Sequence, residues 1–192
     1  GATASVAENH TAAYDADATH ADGDTVPYSI AGTDAALFNI DAVTGLVTFK
    51  AAPDFENPAD AGGNNVYEFT VTASDGANST NQAVAVTVTN QNDNAPVFAS
   101  GTTANAAENQ TAAYDADATD ADGNALTYAI SGTDAGLFNI DAATGVVSFK
   151  AAPDFENPAD AGGNNVYDFT VTTSDGTNSI GQKVAVTVTN QN

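Results

Sequence analysis

The 192-residue chain has no cysteine, no methionine and no tryptophan, and it carries three basic residues against 25 acidic ones. Without cysteine there is no disulfide and no thiolate metal site. With a net charge of −22, nucleic-acid backbones and anionic membrane surfaces are unsuitable partners, because both are met by basic faces. No apolar run approaches the roughly 18 residues that a membrane span needs. No signal peptide is present in the sequence, and the chain starts at Gly1 as if cut from a larger protein. A sustained 3.6-residue apolar period is also missing, which argues against helices.

What is present is repetition. The stretch AENHTAAYDADATHADGD at Ala7–Asp24 returns as AENQTAAYDADATDADGN at Ala107–Asn124, and FKAAPDFENPADAGGNNVY at Phe49–Tyr67 returns unchanged at Phe149–Tyr167. The offset is 100 residues throughout. This predicts two tandem domains, residues 1–99 with a linker over 89–97, and residues 100–192, each long enough to fold alone. Within a unit, Val66–Thr72 and Val84–Val88 alternate apolar and polar residues as half-buried strands do. Shorter strands are expected at Ser5–Glu8, Thr11–Ala18, Tyr28–Ala31, Leu37–Asp41 and Leu46–Phe49, with a turn at DAVTG (Asp41–Gly45). About seven short strands per unit predict an all-β chain of two antiparallel Greek-key β-sandwiches.

Acidic motifs recur at fixed places: Glu8 and Glu108 in AEN, Asp120 and Asp122 in DADG, Asp54 with Glu56 and Asp154 with Glu156 in PDFEN, and Asp75 and Asp175 in SDG. The linker adds Gln91, Asn92, Asp93 and Asn94. Acids favour turns on their own account, and Asp15 and Asp17 read as a solvated strand face. The motifs, however, fall at turns and strand ends, with almost nothing basic to pair with. Oxygen-only donors suit Ca²⁺, which takes 6–8 oxygens; zinc or copper would want His or Cys. The 12-residue calcium loop of the EF-hand does not fit DADATDADG, which lacks the closing Glu.

In order, these motifs resemble those of tandem cadherin-like repeats. NQNDNAPVF resembles the D-x-N-D-N-x-P-x-F linker, AEN the x-E-x motif, PDFE the L-D-R-E motif, DADG the D-x-D motif, and TSDG the A-x-D-x-G motif. The Ala/Thr/Asp-rich style is similar to the repeats of bacterial surface adhesins. The resemblance implies about three Ca²⁺ ions at the single complete junction. Glu8, Asp54 and Glu56 would ligate from the first repeat. Gln91 and Asn94 would ligate through carbonyls, Asn92 through its side-chain oxygen and Asp93 through its carboxylate. Asp120, Asp122 and Asp175 would follow from the second repeat, with Asn124 as a further carbonyl. Seven carboxylates against three dications leave about −1, whereas without metal each pair about 5 Å apart repels by roughly 1 kcal/mol even in water. The ions are therefore expected to lock a rod that hinges without them.

Two departures stand out. His20 replaces the first Asp of D-x-D in the first repeat, which weakens a junction above it. Glu108, Asp154 and Glu156 form half a site, as do Asp22 and Asp75. The implied function is a calcium-binding structural or adhesion module of a secreted or cell-surface protein, partnered by neighbouring repeats. The alternative is calcium-dependent recognition of like molecules or polysaccharide, for which Tyr14, Tyr28, Phe55, Tyr114, Tyr128 and Phe155 are the aromatic candidates, each better explained as core. An enzyme is not expected: His10 and His20 lack counterparts in the second repeat, and the acid pair Asp54 and Glu56 fits a metal motif better than a glycosidase pair. ENPADAGGNN (Glu56–Asn65) is expected to be a surface loop, with an extra calcium as a minor alternative.

Overall fold

The computed structural model describes residues 1–23 and 25–191. Its contacts divide the chain into two units, Gly1–Gln91 and Asn92–Asn192. Apart from two 3-10 turns (Ala35–Leu37 and Ala135–Leu137), the regular structure is all β.

The first unit contains β1 (Ala2–Ala7), β2 (Ala12–Asp15), β3 (Tyr28–Ala31), β4 (Phe38–Ile40), β5 (Leu46–Phe49), β6 (Val66–Ser74) and β7 (Ser79–Thr89). They form a four-stranded sheet in the order β1-β7-β6-β3 and a three-stranded sheet in the order β2-β5-β4. The long hairpin β6–β7 organises the first sheet, paired from Val66 opposite Thr87 to Ser74 opposite Ser79. Alternation explains why. Tyr67, Phe69, Val71 and Ala73 of β6, and Val84, Val86 and Val88 of β7, all point into the core. Phe38, Val47 and Phe49 from the other sheet join all of these but Ala73 in one cluster. The Phe38 ring lies 4.5 Å from Phe49 and 4.7 Å from Phe69. Each such side chain, once buried, contributes roughly 1.5–3 kcal/mol.

The second unit repeats this plan. It adds β8 (Val97–Phe98), followed by β9 (Thr103–Ala107), β10 (Ala112–Asp115), β11 (Ala118–Thr119), β12 (Thr127–Ser131), β13 (Phe138–Ile140), β14 (Val146–Phe149), β15 (Val166–Ser174) and β16 (Ser179–Thr189). Its sheets run β12-β15-β16-β9 and β10-β14-β13, and the short β8 pairs with β11. Each unit is thus a Greek-key β-sandwich.

The structure departs from the sequence expectation in several places. β1 and β9 run parallel, not antiparallel, to the last strand of their unit: Ala2 lies opposite Val84 and Ala7 opposite Thr89. Leu37 falls in a 3-10 turn rather than in a strand. The expected strand Thr11–Ala18 is regular only over Ala12–Asp15, where the register shifts between Ala12 and Tyr14. Val84–Val88 is the inner half of an 11-residue strand whose outer end is polar and exposed. The turn at Asp41–Gly45 is closed by Asp41, whose Oδ1 accepts the Val43 and Thr44 N–H groups at 2.8 and 2.9 Å. Gly45 sits at φ +80°, and a side chain there would collide with the Ala16 carbonyl, so both the turn and the packing demand glycine.

The loop ENPADAGGNN is more than a surface excursion. Asp34 and Asp60 are buried within the unit. Asp34 accepts from Ala61 N–H at 2.8 Å and Glu68 N–H at 2.7 Å, tying the loop to β6. Asp60 accepts from Asn64 and Asn65 N–H at 3.1 and 3.0 Å. With both oxygens of each carboxylate already committed to backbone donors, an extra calcium in this loop has little to bind.

Candidate metal centre

At one end of the first unit, β1 delivers Glu8 into a turn beside PDFEN. Glu8 is 1% exposed. Its Oε2 accepts Phe55 N–H at 2.8 Å and its Oε1 accepts Gln91 N–H at 2.7 Å. One carboxylate therefore staples the end of β1 to the PDFEN turn and to the residues after β7. Asp54 turns the chain locally, its Oδ1 accepting from Glu56 and Asn57 N–H, each at 3.1 Å. This brings carboxylate oxygens of Glu8 and Glu56 within 4.8 Å of each other. The second unit copies the arrangement: Glu108 accepts Phe155 N–H at 3.2 Å and Gln191 N–H at 2.6 Å. There Glu108, Asp154 and Glu156 each present an oxygen within 4.8 Å of the others.

At the opposite end of the second unit, the linker residues meet DADG and SDG. Asp122 Oδ2 accepts Asp93 N–H at 3.0 Å and Asn94 N–H at 2.8 Å, and Asp122 Oδ1 accepts Asn94 Nδ2 at 2.7 Å. The Asn94 carbonyl, expected to face a metal, accepts Asn178 Nδ2 at 3.3 Å. Asn92 Nδ2 reaches the Asp175 carbonyl at 3.4 Å, and Asp120 Oδ1 accepts Asn124 N–H at 3.2 Å. Burial works to raise the Asp175 pKa. N–H groups of Asn178 and Thr177, with the Asn178 and Asn92 side chains, outweigh it and hold the carboxyl below its ordinary value.

Three oxygens in this cluster are shut off from water with no donor: Asn92 Oδ1, Asp120 Oδ2 and Asn124 Oδ1. A buried oxygen without a partner costs about 1–3 kcal/mol. Three of them in one unit, on the linker residue Asn92 and on the DADG segment at Asp120 and Asn124, leave a deficit of donors that a cation would meet. The donor set is oxygen only. Of the three basic residues, Lys50 and Lys150 donate to the Ala36 and Gly136 carbonyls. Hard oxygen donors and the lack of imidazole or thiolate fit Ca²⁺.

No family model matches the chain. It is 33% identical over 137 residues, 66% of its length, to mouse protocadherin Fat 4, and spans about 3% of that protein. Among solved structures, the EC1-2 pair of human protocadherin-24 matches with a TM-score of 0.76 at 21% identity, over 99% of this chain and 94% of that one. Drosophila N-cadherin EC1-4 matches with a TM-score of 0.73 at 24% identity, over 100% of this chain and 48% of that one. The fold is cadherin-like.

Within this cadherin-like frame, sequence reasoning passed over several residues. Asn178 binds both Asp175 and Asn94, and nothing in its own motif marks it. Asn124 was expected to offer a backbone carbonyl, yet it is its side-chain oxygen that is left without a donor. Asp34, Asp60 and their copies Asp134 and Asp160 belong to none of the acidic motifs read in the sequence. Their one legible signal was unchanged recurrence at an offset of 100 residues. The aromatic candidates are buried or half-buried, and no aromatic side chain is exposed among the described residues. Tyr14 donates to Gln82 at 3.0 Å, and the Tyr28 hydroxyl accepts Ala18 N–H at 2.8 Å.

Proposed function

We propose that this chain is a calcium-binding structural and adhesion module of a secreted or cell-surface protein, made of two cadherin-like repeats, residues 1–99 and 100–192, joined through the linker 89–97. In this reading Ca²⁺ is shared by Glu8, Asp54 and Glu56 of the first repeat, by Gln91, Asn92, Asp93 and Asn94 of the linker, and by Asp120, Asp122, Asn124 and Asp175 of the second. About three ions would balance the seven carboxylates. The ions stiffen the pair into a rod that extends a larger adhesin, such as a bacterial surface protein, and its partners are neighbouring repeats. No catalytic role is assigned.

The observation that carries this reading is the trio of buried oxygens without donors, Asn92 Oδ1, Asp120 Oδ2 and Asn124 Oδ1. The likeness to protocadherin Fat 4 supports an extracellular setting, and no helix among the described residues is long and apolar enough to cross a membrane. Recognition of polysaccharide has no exposed ring to rest on.

The test is small-angle scattering together with thermal melting, in millimolar Ca²⁺, in Mg²⁺ and in EDTA. Elongation and a higher melting temperature with Ca²⁺ alone are expected. A ligand at a hundred times its Kd raises stability by about 2.7 kcal/mol. If neither shape nor melting responds to Ca²⁺, the proposal fails.

A further inference from the structure

The two units differ at several positions of their acidic ends, among them His20 for Asp120 and Asp24 for Asn124, and the first of these differences has a chemical consequence. In the second unit Asp120 Oδ2 is buried without a donor, and Asp175 Oδ2 receives a long contact from Asn178 Nδ2 at 3.3 Å. In the first unit His20 stands where Asp120 stands, and its Nε2 lies 3.0 Å from Asp75 Oδ2. The carboxylate accepts, so this ring nitrogen carries the proton. Asp75 Oδ1 is filled by the N–H groups of Ala77 and Asn78, and Oδ2 also receives Asn178's counterpart, Asn78 Nδ2, at 3.3 Å. The Asp75 side chain is 9% exposed and His20 is 25% exposed. Every oxygen of Asp75 is therefore engaged by protein donors, and the imidazole occupies the side from which a cation would approach.

We propose that the Asp75 end of the first unit is not a calcium half-site: His20 closes it from within, so that the cation chemistry of this pair is confined to the Asp120 end and to the Glu8 and Glu108 ends. His20 is the residue that decides this. An imidazole N–H takes a carboxylate lone pair without supplying an oxygen, whereas Ca²⁺ demands oxygen donors at 2.3–2.6 Å. A preceding repeat docked there would have to be held by something other than a calcium on Asp75.

The inference rests on the calcium reading of the Asp120 end, and the experiment separates the two. The amide signals of Asp75–Asn78 and of Asp175–Asn178 are followed by NMR while the intact chain is titrated with Ca²⁺ and, separately, Mg²⁺. In the unaltered chain the Asp175–Asn178 set should shift saturably with Ca²⁺ and the Asp75–Asn78 set should not. In His20→Asp both sets should shift, and Asp120→His should weaken the response of the second set by roughly tenfold or more, since affinity follows the number of charged ligands. Saturable shifts at Asp75–Asn78 in the unaltered chain overturn the proposal. If neither set responds, the calcium reading of the Asp120 end falls. The closure is then decided by His20→Ala in EDTA, which should lower the melting temperature of the first unit. An unchanged melting temperature sinks it.

Discussion

Replacing Glu8 by Ala removes a carboxylate that is almost wholly buried and holds two backbone donors, Phe55 N–H at 2.8 Å and Gln91 N–H at 2.7 Å. Hydrogen bonds to a charged group contribute about 1.5–3 kcal/mol each, which sets a gross loss of roughly 3–6 kcal/mol. An opposing effect comes from Glu56, whose oxygen lies within 4.8 Å. At that distance two like charges repel by about 1 kcal/mol at the dielectric of water and by about 3.5 kcal/mol at an effective value near 20. Glu56 is exposed, so the smaller figure governs. The expected net loss in EDTA is about 2–5 kcal/mol. For a domain of this size that is on the order of 10–40 °C in melting temperature. Glu8→Gln keeps one acceptor and relieves the repulsion, and should cost roughly half as much. The assay is urea unfolding in EDTA, with the amides of β6 and β7 reporting the first unit and Glu108→Ala as the matched change in the second. A loss below about 0.5 kcal/mol for Glu8→Ala, the range of an ordinary surface substitution, would refute the view that this carboxylate staples β1 to its neighbours.

Other perturbations test other parts of the fold. Phe138 is 2% exposed, with ring neighbours at 4.5 and 4.8 Å; Phe138→Ala should lower the unfolding free energy by about 3–5 kcal/mol, measured by urea titration, and a loss under 1 kcal/mol contradicts the packing. Thr173 is fully buried with no partner for Oγ1, and the first unit has Ala73 at the same place. Thr173→Ala should therefore raise stability by about 1 kcal/mol, and a loss of that size would show that the hydroxyl is satisfied after all. The N–H groups of Asn78 and Ala77, aided by the Asn78 side chain and, more weakly, His20, hold Asp75 down to about 2 from its ordinary 3.8. A carboxyl depressed on folding adds stability that is complete above its unfolded pKa and is lost as pH falls through the folded one. Asp75 should thus contribute to acid unfolding of the first unit between about pH 4 and pH 2, and a carboxyl ¹³C titration midpoint near 4 would contradict the hydrogen bonding described.

How much of this could be read in the sequence follows from what each residue does. The strands were legible wherever one face is buried. Tyr67, Phe69 and Val71, like Val84, Val86 and Val88, alternate because a pleated strand turns every second side chain inward. The turn at Asp41–Gly45 was legible because the Asp side chain and the positive φ of Gly45 are local requirements. The parallel course of β1 beside β7 was not, since pairing direction between the ends of a unit depends on the whole connection and leaves no mark in Ala2–Ala7. The candidate ligands were legible as motifs. Their division of labour was not: Asp122 turns its oxygens to the linker N–H groups, while Asp120 Oδ2 faces none, and nothing in the spacing of DADG separates them.

The same distinction accounts for how a chain with 25 acids and three bases folds. Carboxylates here are neutralised in three ways. Asp34, Asp41, Asp54 and Asp60 give their oxygens to backbone N–H groups, a structural use that needs no counter-ion because each donor is fixed by the strand or turn it belongs to. Asp75 is answered by an imidazole. Asp120 Oδ2, with the amide oxygens of Asn92 and Asn124, meets no donor in the protein. This last group requires something from outside, and it lies where the linker enters the second unit. The acids that build the sandwich and the acids that would bind metal are thus the same residue types, separated by whether a backbone donor reaches them. A swap of His20 and Asp120 would move the demand for a cation from one unit to the other without touching either core.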